Sequence, residues 1–280
     1  NYAKTINTGR IYIKGGTVGG KVFGGSNRNL GTNTIIRMDG GTVVGGIYGG
    51  SNVDGTIGGN TDIEVTGGTV GVIGTSAAHV CGGGYGSATR VTNNVDVTIG
   101  GTATVYGEVY GGSEQGLVNT NANSDSYQSG KHTLVNVEGN CTINGAVYGG
   151  GLGTTANAAN TYGVSKVTMT GGTVNGNVFG CNNFNGKPFD LTVEVEMTGG
   201  TATNVYGGGN EAGYTGNPSV TISGTSRVTN NVYGGGKGVG AKVTGNTNVL
   251  IKSDAVIDNN VYGGGHGAEV QGNTNVTIGE

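Results

Sequence analysis

The chain has 280 residues, of which 64 are glycine, 2 are proline and 11% are charged, and its formal net charge is −3. This balance excludes nucleic acid as a partner, because binding phosphates requires a basic face. No apolar run reaches the roughly 18 residues that span a bilayer, so we predict no membrane insertion.

A phrase close to Asn-Val-Tyr-Gly-Gly-Gly recurs about nine times, at intervals of 25 to 38 residues. Its aromatic position falls at Phe23, Tyr48, Cys81, Tyr110, Tyr148, Phe179, Tyr206, Tyr233 and Tyr262, and Cys81 marks a degenerate copy. Periods of roughly 20 to 50 residues are typical of stacked repeat proteins. The residues between the glycines are mostly Val and Ile alternating with Thr or Asn, a pattern that indicates strands.

One repeat unit is clearest in residues 164–181. A strand is followed by the corner Gly171-Gly172, a short strand at Thr173-Val174, the turn Asn175-Gly176 and a last strand ending at Gly180. The same order is legible in residues 62–74, 191–209, 220–236 and 248–265. Each unit has too little apolar surface to fold alone, so we expect neighbouring units to stack at about 4.8 Å.

We therefore predict an all-β fold, a single parallel β-helix (β-solenoid) of about nine turns of roughly 27–30 residues, with short strands joined by Gly and Asn corners. The alternative is a sandwich or propeller of antiparallel hairpins, which Asn-Gly turns also support. Residues 1–280 are predicted to be one continuous domain. Because the chain starts and stops within partial repeats, we expect it to be a segment of a longer protein.

Three columns of like residues are predicted along the stack. An asparagine ladder comprises Asn177, Asn204, Asn231 and Asn260. A threonine column comprises Thr17, Thr42, Thr69, Thr102, Thr142, Thr173, Thr201 and Thr225. In the aromatic column, which includes Tyr206, Tyr233 and Tyr262, Phe and Cys replace Tyr but no charged residue does, which favours a buried or half-buried stack. An exposed tyrosine stripe that binds sugar rings is the functional alternative.

Two predicted insertions, near residues 116–131 and 152–164, leave the coil at the same corner on successive turns. They should project side by side, and insertions gathered on one face are where solenoids often place binding sites. The candidate ligand-binding residues are Tyr127 and Tyr162 in the insertions, with Tyr110 and Tyr148 in the aromatic column. Tolerated surface variation is the simpler explanation of the insertions.

Catalysis is not predicted. Glu194 and Glu196 lie two residues apart on one strand face, with Asp62 and Glu64 in equivalent columns, but alternation with valines makes a solvated outer face the simpler interpretation. We expect no acidic cluster to have the Lys, Arg or His neighbours that acid–base or lyase chemistry would use.

Neither a metal nor another cofactor is predicted, because His79, His132 and His266 fall in different repeat columns. The cysteines also occupy different positions in the repeat, so we predict three free thiols at Cys81, Cys141 and Cys181.

The pairing of Gly-Gly-Thr-Val with Asn-Val-Tyr-Gly-Gly-Gly resembles the glycine-rich repeat regions of large bacterial cell-surface and secreted adhesin-like proteins. The resemblance covers nearly the whole chain and implies a bacterial extracellular setting and a role as stalk, adhesive surface or matrix component. It implies no known ligand, and glycans or host and cell-surface proteins are the candidate partners. The alternatives are a carbohydrate-active or carbohydrate-binding β-helix and a filament subunit that stacks end to end.

Overall fold

The structure is a computed structural model that describes residues 6–28, 31–74, 78–121, 125–252 and 254–279. Within these ranges the chain forms 25 strands and no helix. Every pairing between the strands is parallel and joins one turn to the next. The chain is therefore a β-solenoid of about nine turns, as predicted.

The strands are short on most sides of the coil. Those of the first three turns are β1 (Ile6–Ile13), β2 (Thr17–Val18), β3 (Val22–Phe23), β4 (Gly31–Val43), β5 (Ile47–Tyr48), β6 (Asp54–Ile57), β7 (Thr61–Val70), β8 (Val80–Cys81) and β9 (Ala88–Val91). Those of the middle three turns are β10 (Val95–Ile99), β11 (Thr104–Val105), β12 (Val109–Tyr110), β13 (Leu117–Val118), β14 (His132–Val137), β15 (Thr142–Ile143), β16 (Val147–Tyr148) and β17 (Val164–Phe179). The remainder are β18 (Thr192–Tyr206), β19 (Asn217–Ile222), β20 (Arg227–Val228), β21 (Val232–Tyr233), β22 (Thr247–Ile251), β23 (Val256–Ile257), β24 (Val261–Tyr262) and β25 (Thr274–Ile278).

The coil has a fourth side that the three-strand unit does not include. It consists of β6, β9 and β13, and it is continued in later turns by single bridges from Val118 to Thr161 and from Thr161 to Pro188. Part of each segment predicted as an insertion therefore belongs to the coil. On the other three sides, β17 and β18 each run through all three predicted strands, with register shifts at the Gly-Gly corner.

One large apolar cluster fills the interior of the coil along its length. Because successive strand residues point to opposite faces, the first residue of each Val-Tyr pair points inward. The inward residues of this side are Val22, Ile47, Val80, Val109, Val147, Val178, Val205 and Val232. Each of them is at most 8% exposed, so the core is continuous from the first turn to the eighth.

The aromatic column lies outside this core but is nevertheless buried. Its residues stack in register from Phe23 to Tyr262, and all of those from Tyr48 to Tyr233 are at most 7% exposed. Tyr85 and Leu152 pack against the column. Neighbouring rings are nearly parallel, with centroids 4.7 to 5.2 Å apart. The ring spacing is set by the strand spacing, and offset rings at this distance attract one another.

The predicted threonine column is wrong at two positions. In register with Thr69 and Thr201 the structure places Thr104 and Arg227, two residues after the predicted Thr102 and Thr225. The cause is a second type of corner, one residue longer than Gly-Gly-Thr, that turns a small residue inward. These inward residues are Ala103, Cys141 and Ser226, all buried.

The first glycine of each Gly-Gly-Gly segment is required by the neighbouring turn. A Cβ on Gly207 would lie 2.3 Å from the carbonyl oxygen of Gly234, and the other glycines of this column, from Gly24 to Gly234, give 2.2 to 2.5 Å. The same carbonyls accept hydrogen bonds from hydroxyls on the first side of the coil, such as Ser165 Oγ to Gly180 O at 2.9 Å. Close approach, rather than a positive φ, therefore excludes every other residue type here.

We expect Gly207→Ala to lower the melting temperature by several degrees, because the turn must shift away from backbone atoms at a cost of about 1–3 kcal/mol. Gly58→Ala is the matched control, since a Cβ there meets only the Gly31 carbonyl oxygen at 3.5 Å. Thermal unfolding followed by circular dichroism measures both. Equal shifts would contradict the close-approach argument.

Ser226 and Ser165 provide a second matched pair. Ser226 Oγ is buried and has no hydrogen-bond partner among the described residues. We expect Ser226→Ala to raise the melting temperature, by an amount equivalent to about 1 kcal/mol, because it removes an unsatisfied buried hydroxyl. Ser165→Ala should lower it, since that hydroxyl bonds to Gly180 O. A fall in both variants would argue against an unpaired Ser226.

Candidate functional site

The insertion tyrosines lie in different environments. Tyr162 is 4% exposed and stacks on Phe189, with ring centroids 4.6 Å apart, whereas Tyr127 is 44% exposed. The backbone N–H of Gln128 donates to the carbonyl of Tyr162, so the two segments do lie side by side. Residues 122–124 of the first segment lie outside the described residues.

Tyr110 and Tyr148 are not available as stacking platforms for a sugar. They are 0% and 2% exposed, and they stack on each other with centroids 4.9 Å apart. Phe179 covers the other face of Tyr148 at 4.8 Å. The ring faces are occupied because the register that places them in one column also places them one strand spacing apart. A ligand at either ring would have to displace a neighbouring ring of the stack.

The asparagine column forms a hydrogen-bonded ladder. Asn204 Nδ2 donates to Asn177 Oδ1 at 2.8 Å, and Asn204 Oδ1 accepts the backbone N–H of Asn231 at 3.0 Å. Asn231 Oδ1 accepts the N–H of Asn260 in the same way. Each amide therefore ties one turn to the next beside the aromatic stack.

In the earlier turns this column changes its chemistry. The equivalent residues, two before the aromatic position, are Lys21, Gly46, His79, Glu108 and Ala146. His79 takes over the asparagine's role, because its Nδ1 accepts the backbone N–H of Glu108 at 3.3 Å. The ring proton is thereby assigned to Nε2.

The aromatic stack is interrupted in the same turns. Cys81 takes the place of a ring between Tyr48 and Tyr110. Tyr85 packs edge-on against Tyr48, and His79 packs edge-on against Tyr110, each with centroids 5.4 Å apart. Each of the two tyrosines that flank Cys81 is therefore packed against a ring from outside the aromatic column.

Two carboxyl groups accept hydrogen bonds from the tyrosines on either side of Cys81. The Tyr48 hydroxyl donates to Glu114 Oε2 at 2.5 Å, and the Tyr110 hydroxyl donates to Glu108 Oε2. Asn183 Nδ2 donates to the Tyr110 hydroxyl at 2.7 Å. Burial raises the pKa of both Glu108 and Glu114, although the tyrosine hydrogen bonds oppose the shift.

Burial, with a smaller contribution from Lys21, lowers the pKa of His79 to about 4. The imidazole is therefore neutral at pH 7, consistent with its acceptor role in the ladder.

Cys81 at the centre is fully buried, and desolvation raises its thiol pKa well above the usual range. Its thiol is free, as are those of Cys141 and Cys181, and all three are buried.

A cavity of about 420 Å³ opens beside this cluster. Its lining comprises His79, Tyr106, Gly107, Glu108, Asn144, Gly145 and Leu152. Tyr106 occupies the corner position that holds asparagine in the next two turns. We name this cavity, with the adjoining break at Cys81, the break site.

The break site is not predicted from the sequence, because its side chains come from separate turns. A signal was present, however. Cys81 and Tyr106 depart from the repeat at neighbouring positions once the columns are aligned, and beside them His79 and Glu108 place an imidazole and a carboxyl group in the column that holds asparagine in later turns. Departures concentrated in one place within a regular repeat are typical of functional sites.

The paired acids on the outer face have basic neighbours, contrary to the prediction. Lys166 Nζ lies 3.3 Å from Glu194 Oε2 and 2.9 Å from Glu196 Oε2. Arg37 lies in the same way between Asp62 and Glu64, at 2.5 and 2.8 Å. These partners are one turn away, about 27 residues in sequence. All these side chains are about a third exposed or more, so the pairs are surface ion pairs of small energetic weight.

Among the residues that the structure describes, no group of three or more His, Cys, Asp and Glu side chains is placed to hold a metal ion. That part of the chain also contains no long apolar helix of membrane-spanning length. No family model, curated protein or solved structure matches the chain.

We expect His79→Asn to reduce the loss of stability in acid. A pKa lowered by folding means that the unfolded chain binds the additional proton, so stability falls as the pH drops from about 6.5 through about 4. Asparagine does not titrate, and it is the residue that the ladder uses in later turns. As the pH falls over this interval, the free energy of unfolding of the variant should therefore rise relative to that of the wild type, by up to about 1.4 kcal/mol per pH unit.

Melting temperatures of both proteins at pH 7 and pH 4.5 test this expectation. The raised pKa values of Glu108 and Glu114 favour the folded state on acidification, and both proteins share these groups. The change with pH in the melting-temperature difference between the two proteins therefore reports the titration of His79. A difference that stays constant with pH would contradict its neutral, buried state.

Proposed function

We propose that this chain is a non-enzymatic segment of a bacterial extracellular surface protein, in which the solenoid acts as a stalk and presents a binding face. The observation that supports the stalk is the continuity of the ladders. The core, the glycine column and the hydroxyl bonds recur turn after turn, so each turn adds a fixed length of rigid structure.

The extracellular setting and an adhesive or matrix role are proposed from the resemblance of the repeat to adhesin-like regions. A surface with few charges and many short polar side chains suits contact with glycans or with cell-surface proteins. Carbohydrate binding is the more specific candidate, because the break site combines a cavity with aromatic, amide and carboxyl groups.

We expect removal of whole turns to shorten the protein without unfolding it. Deleting residues 204–230 removes one turn and joins Thr203 to Asn231 in register, because Asn204 and Asn231 occupy one column. Deleting residues 177–230 removes two turns. Small-angle X-ray scattering should report the same cross-section and lengths reduced by about 4.8 and 10 Å.

Unfolding of both deletion variants would contradict a spacer built from equivalent turns. Particle lengths that grow with protein concentration would instead favour end-to-end assembly. Release of new reducing ends from a panel of polysaccharides would contradict the non-enzymatic role.

A further inference from the structure

The break site differs from the rest of the rod in both shape and chemistry. In the later turns, from Asn177 to Asn260, the column beside the aromatic stack holds asparagines whose amides are used in the ladder. At the break, one ring is missing, one corner carries an aromatic side chain, and a carboxyl group replaces an amide. The regular repeat stabilises the rod without any of these changes, so they call for a separate explanation.

The lining of the cavity favours a neutral, hydroxyl-rich ligand. Tyr106 and Leu152 are half-buried and provide an apolar wall against which the C–H face of a sugar ring can lie. Glu108 accepts hydrogen bonds, and the Nε2–H of His79 and the amide N–H of Asn144 donate them. Sugar hydroxyls both donate and accept, so vicinal hydroxyls match this mixture.

Other ligand classes fit less well. The carboxyl groups of Glu108 and Glu114 disfavour an anion. A divalent cation needs several oxygen ligands, and Glu108 is the single carboxylate in the cavity lining. Lys21 lies near enough to His79 and Glu114 to influence their titration, which further disfavours a cation. The volume of about 420 Å³ lies within the range of small-ligand pockets.

We propose that the break site binds a neutral sugar residue of a glycan, stacked on Tyr106 and hydrogen-bonded by Glu108, His79 and Asn144. The inference rests on the proposed role of the rod in presenting a binding face, and it assigns that face to the break site rather than to the insertions. Tyr110 and Asn183 hold the Glu108 carboxyl group in position.

The test is binding of the full chain to an array of neutral, uronate-containing and sulfated oligosaccharides, followed by titration calorimetry with the neutral oligosaccharide that binds best. We expect binding to neutral members. Tyr106→Ala and Glu108→Gln should each weaken it about tenfold or more, since each removes a contact worth at least 1.4 kcal/mol. Glutamine still offers Tyr110 an acceptor, so Glu108→Gln tests the carboxylate with little change in packing.

Tyr12→Ala, at a tyrosine that is 60% exposed and outside the cavity lining, is the matched control and should leave the affinity unchanged. Tyr127→Ala tests the first insertion as the alternative site. Loss of binding in Tyr127→Ala with full binding in Tyr106→Ala would overturn the proposal in favour of the insertions. Binding to acidic glycans alone, or to no glycan, would also overturn it. If Tyr106→Ala does not fold, Asn144→Ala at the next corner replaces it, because Asn144 is exposed.

Rod dimensions measured on the same samples separate the two proposals. A rod of normal length that binds no neutral glycan would eliminate the break site as a sugar site and leave the stalk in place. Loss of the rod itself would instead contradict the proposed function.

Discussion

The structure depends on one constraint, the in-register stacking of parallel strands at a fixed spacing. Because each paired strand residue lies directly on its counterpart in the next turn, its side chain must suit contact with the residue stacked on it, which is often of the same type. Rings satisfy this condition by stacking with centroids near 4.8 Å, and asparagines satisfy it by donating and accepting along the column. Glycine is required where the neighbouring carbonyl leaves no room for a side chain.

Much of the fold could be predicted because stacking in register makes the same residue types recur at similar intervals along the sequence. The recurring Val-Tyr-Gly-Gly phrase marks the third side of each turn, and its spacing indicates the number of turns. The predictions at Thr102 and Thr225 were wrong because the corners there are one residue longer than the others. The dipeptide Gly-Thr occurs in both types of corner, so the sequence does not distinguish them directly. The fourth side was missed because its pairing is often a single bridge without a repeated phrase.

The candidate site was harder to predict, for a related reason. Contacts such as Lys166 with Glu194 or His79 with Glu108 join residues 28 or 29 positions apart, and they become visible only when the register between turns is known. Burial of Tyr110 and Tyr148 could not be read from one strand, since their faces are covered by the neighbouring turns. The replacement of an aromatic residue by Cys81 was visible in the sequence. The site around it can be recognised only when the residues stacked in the neighbouring columns are known.

The aromatic column also gives the protein an optical property. The chain contains 13 tyrosines and no tryptophan, and six of the tyrosines belong to the column. Nearly parallel rings at this separation are close enough for their electronic transitions to couple, and the break at Cys81 divides the coupled array into a short and a long segment. Coupling within the column therefore contributes to the near-ultraviolet circular dichroism of this chain, where no indole signal overlaps it.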